Sequence, residues 1–246
     1  MQKTPSQSVL LQKFGRFSAL FPRLKGQSFD PFVNDWDEGR MDDTEKMPDF
    51  NYFSFEYSHV STISVALFSK FTNVTQLYMN STHVEEIQQG GFDGLEKLEV
   101  MQLANNELTE ISQGVLNHLS RLIILNMSHN HIAVIESNAF KGLLSLKKLI
   151  LNHNNVKVLH PNTFPYLKSI EVIDLSYNMI IDVSQNAFAK MSQYEGYFIT
   201  NGSILDLSHN CIKSLNLSYI SIPLTSLNLY NNSLRLLCSQ SAILKK

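Results

Sequence analysis

Leu146-Lys-Lys-Leu149-Ile-Leu151-Asn-His-Asn154-Asn-Val156-Lys-Val-Leu159 places apolar residues at its first, fourth, sixth, eleventh and fourteenth positions and an asparagine at its ninth. The same pattern stands upstream as Leu98-x-x-Met101-x-Leu103-x-x-Asn106-x-Leu108-x-x-Ile111. Phe50, Val74, Leu98, Leu122, Leu146 and Ile170 open copies at a constant spacing of 24 residues. A second apolar pair follows at the 19th and 22nd positions: Phe92 and Leu95, Leu116 and Leu119, Phe140 and Leu143, Phe164 and Leu167, then Phe188 and Met191. The first half of each copy alternates like a short strand that ends in a tight bend. One 24-residue coil cannot bury this many apolar side chains alone, so successive coils must stack over a shared core.

The ninth-position asparagines are Asn106, Asn130, Asn154, Asn178, Asn210 and Asn232. They fall where the strand bends away and leaves backbone groups inside the coil, and a side-chain amide carries both the donors and the acceptor to satisfy them. Ser58 and Thr82 take this position in the first two coils, which predicts weaker ties there. After Ile170 the period breaks: the next strand, Leu205-x-Leu207-x-x-Asn210, counts back to Gly202, about eight residues late. Residues 192–201 are therefore expected to bulge as a loop. A shortened coil ends near Pro223, and Leu224 opens an eighth copy that runs to Leu237.

This pattern resembles the leucine-rich-repeat family over roughly residues 50 to 237. The 24-residue period with Phe at the 19th position is similar to its extracellular class, found in Toll-type receptor ectodomains and in secreted insect immune proteins. The resemblance implies an α/β fold: a right-handed solenoid curved like a horseshoe, about eight coils long, with a parallel sheet on the concave face. It also implies an asparagine ladder from coil to coil. The expected organisation is a poorly ordered segment 1–49 with its acidic part as a cap over the first coil, a repeat domain 50–237 and a short tail 238–246.

Composition excludes several classes. With 43% hydrophobic residues the chain has material for a large elongated core without disulfide or metal support. A net charge of −2 gives no field that favours nucleic acid or a membrane surface. No apolar run reaches 18 residues, so no membrane-inserted helix is expected in this chain. Residues 1–28 carry five basic and no acidic residues, and residues 29–49 carry eight acidic against two basic ones. The first of these stretches has the composition of an organelle transit peptide, and Lys13 and Arg16 interrupt any secretory apolar core. The two cysteines, Cys211 and Cys238, occupy non-equivalent positions beyond disulfide reach and are expected as free thiols, with pairing of Cys238 to a partner chain as the alternative. Cysteine-rich caps, common in extracellular members, are not found. Further repeats, the tail or another chain would then cover the carboxyl-terminal coil, and a dimer through that end is one expectation.

Strand positions left over from the core should face the concave side and form a ribbon about 34 Å long. Its candidate ligand-binding residues are Tyr57, Tyr78, His129, His153, Tyr177, His209 and Tyr230. His129 and His153 should lie about 5 Å apart, near enough for a shared metal or for pH-dependent repulsion. Ser-His-Asn and Asn-His-Asn are ordinary variants of the repeat, however, so no metal and no cofactor are assigned. Asp174 and Asp206 could pass for a catalytic pair, but no nucleophile, phosphate loop or zinc spacing accompanies them, and an enzyme is not expected. Six acceptor sequons, at Asn73, Asn80, Asn126, Asn201, Asn216 and Asn231, point to a secreted glycoprotein. The expected function is non-catalytic recognition of a protein or extended ligand, in innate immunity or cell-surface signalling, outside the cell or on its surface. The alternative is a cytoplasmic scaffold or adaptor.

Overall fold

The computed structural model describes residues 51–56, 58–164, 167–188, 202–220 and 223–235. The expected loop at 192–201, apart from its flanks, and both termini lie outside them, as do Tyr57, Asn201 and Cys238. Eight strands form one parallel sheet in chain order: β1 (Tyr52–Ser54), β3 (Gln76–Tyr78), β5 (Val100–Gln102), β7 (Ile124–Asn126), β9 (Lys148–Ile150), β11 (Val172–Asp174), β13 (Ser203–Asp206) and β14 (Leu224–Asn228). On the opposite side the chain makes two-residue strands that pair from coil to coil: β2 (Thr62–Ile63) with β4 (Glu86–Ile87), β6 (Glu110–Ile111) with β8 (Val134–Ile135), and β10 (Val158–Leu159) with β12 (Asp182–Val183). The helical share among the described residues is one 3₁₀ turn, Leu217–Tyr219, so the return path of each coil is built from turns.

Register follows the period. Phe53 pairs with Leu77, Leu77 with Met101, Met101 with Leu125, Leu125 with Leu149 and Leu149 with Ile173. The next pairing, Ile173 with Leu205, is offset by 32 residues, eight more than the period, as the break after Ile170 predicts. Between β13 and β14 the register shifts at Ser203/Ile204, which leaves Thr225 as an extra residue. The Thr225 hydroxyl donates to the Gly202 carbonyl at 3.1 Å, and a Cβ on Gly202 would stand 2.5 Å from the Thr225 methyl. A bulge thus absorbs the shortened coil.

The core is one continuous column. Positions one, four, six, eleven and fourteen of the central coils are almost wholly buried. Phe68 stacks on Phe92 at 6.2 Å, Phe140 on Phe164 at 5.6 Å and Phe164 on Phe188 at 5.1 Å, with Leu116 interrupting the spine. These spacings exceed the strand separation of about 4.8 Å. Each coil is therefore a wedge, thicker at its phenylalanine than at its strand, and stacked wedges curve with the sheet inside. A second bend, at position 17, holds Ala66, Gly90, Gly114, Asn138, Asn162 and Asn186 with positive φ. Glycine and asparagine are the residues that adopt this conformation at least cost.

The amide ladder ties each coil to the one before it. Asn154 Nδ2 donates to the carbonyl of Met127 in the preceding coil at 3.0 Å and to its own Leu151 at 3.0 Å, while its Oδ1 accepts from Ile132 N–H at 3.0 Å. Asn106, Asn130, Asn178, Asn210 and Asn232 repeat this arrangement. Thr82 has one hydroxyl proton, which goes to Met79 of its own coil at 2.8 Å, and Val60 N–H turns instead to the Thr82 carbonyl at 2.8 Å. The weaker tie expected at the amino-terminal end is thus present in the geometry. Asn154→Leu strands three buried backbone groups and should lower stability by about 1–3 kcal/mol. Thr82→Asn should raise it by about 1 kcal/mol by completing the ladder. Urea unfolding of both variants checks the pair; a neutral Asn154→Leu would remove the ladder from the account.

Candidate recognition surface

The strands bury their fourth-position residue and turn the third and fifth outward, half exposed. The fifth-position column is mostly polar: Ser54, Tyr78, Gln102, Asn126, Ile150, Asp174, Asp206 and Asn228. The third-position column holds Tyr52, Gln76, Val100, Ile124, Lys148, Val172, Ile204 and Ser226: an apolar stripe from Val100 to Ile204 that the exposed Lys148 interrupts between Ile124 and Val172, with Ile204 43% exposed. This apolar stripe is missing from the sequence-based surface, which names aromatic and imidazole side chains only. Its signal was present, since non-core strand positions filled by β-branched residues stand out against the polar norm of an exposed face. Tyr78, the one proposed site residue on a described strand, packs against Tyr52 with ring centres 5.1 Å apart.

The fifth position also shapes the bend. Asp174 Oδ1 accepts from Ser176 N–H at 3.0 Å and from its hydroxyl at 2.7 Å; Asp206 Oδ1 accepts from Ser208 N–H at 2.8 Å, and Asn126 and Asn228 accept from Ser128 and Tyr230 N–H in the same way. Each is an Asx turn that folds the chain back two residues on. Asp174 and Asp206 therefore have a backbone task. The eighth position then falls in the left-handed region, from Ser81 and Asn105 through His129, His153, Tyr177 and His209 to Asn231, with φ between 53° and 56°. This corrects the expectation that the eighth position lies on the strand face: the strands end at the fifth position, and this column lines the bend.

Each bend is pinned to the next coil. His129 N–H donates to the Asn152 carbonyl, His153 N–H to Ser176, Tyr177 N–H to Ser208 and His209 N–H to Tyr230, at 2.8–3.1 Å. Identical backbone conformation and fixed spacing bring the rings face to face. His129 and His153 stack at 4.2 Å with planes 11° apart, His153 and Tyr177 at 4.4 Å and 8°, and Tyr177 and His209 at 4.0 Å and 10°. Tyr230, at the seventh position of its coil, closes the column edge-on at 5.4 Å and is 72% exposed. The structure thus brings together five of the proposed ligand residues and leaves Tyr78 apart, four coils from Tyr177. A metal lies in the plane of an imidazole that coordinates it, so parallel rings about 4 Å apart cannot share one without rotating.

Stacking has an electrostatic cost. Partial burial, and then the charge His129 would bring, hold the His153 imidazole below its usual value; Asp174 opposes this and His209 adds to it. Desolvation pushes the Asp206 carboxyl up, but hydrogen bonds from Ser208 and Asn228 and the nearby His209 outweigh it and leave it below its usual value.

The sequons divide by geometry. Asn80 Nδ2 donates to Glu56 at 2.7 Å while its Oδ1 accepts from Ala104 N–H, and Asn126 Nδ2 donates to Gln102 at 2.8 Å. Asn231 Nδ2 meets His209 Nδ1 at 2.9 Å. Asn73 and Asn216 are exposed; Asn73 Oδ1 accepts from Lys97 Nζ, and Asn216 Oδ1 caps Ser218.

A group whose folded pKa lies below its unfolded value stabilises the fold above the unfolded pKa, and that contribution is lost as pH falls through the folded one. For His153 the loss begins below about pH 6.5. The melting temperature should therefore fall as pH drops from 7 toward 5, and His153→Phe, which keeps a ring in the stack, should reduce that slope. Differential scanning calorimetry across this window checks it, and an unchanged slope would contradict the burial of His153 in the stack.

The leucine rich repeat family model matches residues 72–132, 96–155 and 144–195, together half of the chain. No curated protein matches the sequence. Among solved structures, TLR13 in its complex with ssRNA13 is similar at 26% identity and a TM-score of 0.63, over 72% of this chain and 24% of that one. The glycosylated Drosophila Toll–Spatzle complex gives 25% and 0.60 over 72% and 25%, and a second Toll–Spatzle structure gives 25% and 0.61 over 72% and 24%. This chain spans about a quarter of the length of those chains. With its register, its asparagine ladder and half its length under the family's model, the chain belongs to the leucine-rich-repeat family.

Proposed function

We propose that this is a non-catalytic recognition protein that holds a protein partner along the sheet face and adjoining bend, acting outside the cell or on its surface in innate immunity. The observation that carries this reading is the open face formed by two apolar pairs, Val100 with Ile124 and Val172 with Ile204, on either side of Lys148, running beside the ring stack from His129 to Tyr230. Such a surface is long and shallow, which suits a macromolecular partner more than a small molecule. The similar chains named in complexes, with ssRNA13 and with Spatzle, support a ligand-binding role. Protein is favoured over nucleic acid because Asp174 and Asp206 line the face and would repel phosphate. The Asx-turn duty of these two carboxylates speaks against their use as a catalytic pair. Glycans, on this reading, stand at Asn73 and Asn216. Dimerisation through the last two described coils rests on Leu217 and Leu234, 46% and 39% exposed; a monomer at every concentration in sedimentation equilibrium would count against it.

One observation favours the cytoplasmic scaffold reading: Cys211 is an exposed free thiol, a state that reducing compartments preserve. Expression in secreting cells followed by glycosidase treatment separates the two. A mobility shift lost in Asn73→Gln/Asn216→Gln supports secretion, and no shift supports the scaffold. Recognition itself is tested by placing a photo-crosslinking amino acid at position 204 on the sheet face or at position 134 on the opposite side. Crosslinked partner from position 204 alone is expected. Equal yield from both, or yield from position 134 alone, would contradict the reading.

A further inference from the structure

Resting on the recognition surface proposed above, the geometry points to a proton-gated docking stripe. We propose that the column His129, His153, Tyr177, His209 and Tyr230, with Asp174 and Asp206 beside it, holds a partner segment of alternating apolar and basic residues at neutral pH and releases it on acidification.

Three imidazoles occupy one stack in which no ring centre is more than 4.4 Å from its neighbour. Neutral rings stack at this distance without penalty, but adjacent imidazolium ions repel. Backbone bonds from each bend to the next coil fix the spacing of the column, so the rings stay neighbours as long as the coil-to-coil register holds. Protons taken up by the stack therefore change the charge of a rigid surface. The charged groups facing it are few. From the strands come Asp174 and Asp206, within electrostatic reach of His153 and His209 respectively, and the cation of Lys148 in the third-position column. Beyond the bend, the tenth-position column brings His131 and Cys211 alongside, and Glu107 near its start.

At neutral pH the stripe sets two carboxylates, Asp174 and Asp206, against the one ammonium of Lys148, beside the rings and the exposed apolar surface of Tyr177, Ile204 and Tyr230. This is complementary to lysine or arginine alternating with apolar residues. Histidine is the side chain whose charge change falls within about pH 5–8. His129 and His209 stand at the two ends of the face-to-face stack, with His153 and Tyr177 between them. The carboxylates stay ionised, so the stripe moves from net negative toward neutral or positive, and a basic segment loses its attraction. The burial and neighbouring imidazoles that disfavour charge on His153 act in the same direction, keeping the stripe uncharged until the medium is acidic.

The test uses a fluorescein-labelled peptide of alternating leucine and lysine, with a leucine–glutamate peptide as control, read by anisotropy at about pH 7.5 and 5.5. Lysine and glutamate both keep their charge across this range, so a change in affinity reports the protein. The leucine–lysine peptide should bind at least tenfold more weakly at the lower pH. In His129→Phe/His153→Phe/His209→Phe that ratio should fall to about two or less, whatever the affinity at neutral pH. In the unaltered protein, saturating peptide should lower the titration midpoints of His129 and His209 followed by NMR, as linkage requires. Equal affinity at both pH values, unmoved midpoints, or preference for the leucine–glutamate peptide at neutral pH would overturn the proposal. So would absence of binding by either peptide, while the crosslinking result at position 204 would still decide separately whether the face recognises a partner.

Discussion

A buried side-chain amide with one foot in each of two coils is the interaction on which the remaining structure depends. Where the chain turns out of a strand its carbonyls point inward, and the apolar core cannot satisfy them. Asn106, Asn130, Asn154, Asn178, Asn210 and Asn232 do so by donating to their own coil and to the one before, and by accepting an N–H in return. Hydrophobic burial supplies most of the driving force for stacking but tolerates sliding. The ladder does not, because a slip of one residue would strand several backbone groups in each coil. Register in turn aligns every other column: the phenylalanine spine, the apolar third-position stripe and the stacked rings at the bend.

The stack illustrates how a backbone requirement becomes a surface property. The eighth residue takes a positive φ in coils with an Asx turn, such as those of Asp174 and Asp206, and equally in that of Ile150, and its N–H bonds the next coil. Asparagine and histidine are among the non-glycine residues that enter this region at least cost. Ring chemistry here is thus compatible with the fold first, and available for recognition second. The wedge shape of each coil draws these rings to 4.0–4.4 Å while the phenylalanines outside stand at 5.1–6.2 Å.

Much of this was legible in the amino-acid order. The period gave the strands their pairing, the ninth-position asparagines gave the ladder, Thr82 marked the weak tie, and the late strand at Leu205 gave the eight-residue insertion. These features are set by covalent spacing and by which side chains can satisfy buried backbone. What escaped depends on direction in space. Placing the eighth position on the strand required knowing where the strand ends, which the left-handed bend decides. Asn80 and Asn126 satisfy the sequon rule, yet their amides are bonded to Glu56 and Gln102 one coil away, a contact no sequon can announce. Val100, Ile124, Val172 and Ile204 were visible as residues, but the stripe they form emerges only once the core has claimed its own positions.

Native-state hydrogen exchange, resolved by residue, tests the governing role of the ladder most directly. The N–H groups of Leu108, Ile132 and Val156, each held by an asparagine of the following coil, should exchange only through opening of the whole solenoid. Val60, held by the Thr82 carbonyl where the amide is replaced, should exchange through a smaller opening of the first coils. Equal protection at Val60 and Ile132, or fast exchange at Ile132, would contradict the account.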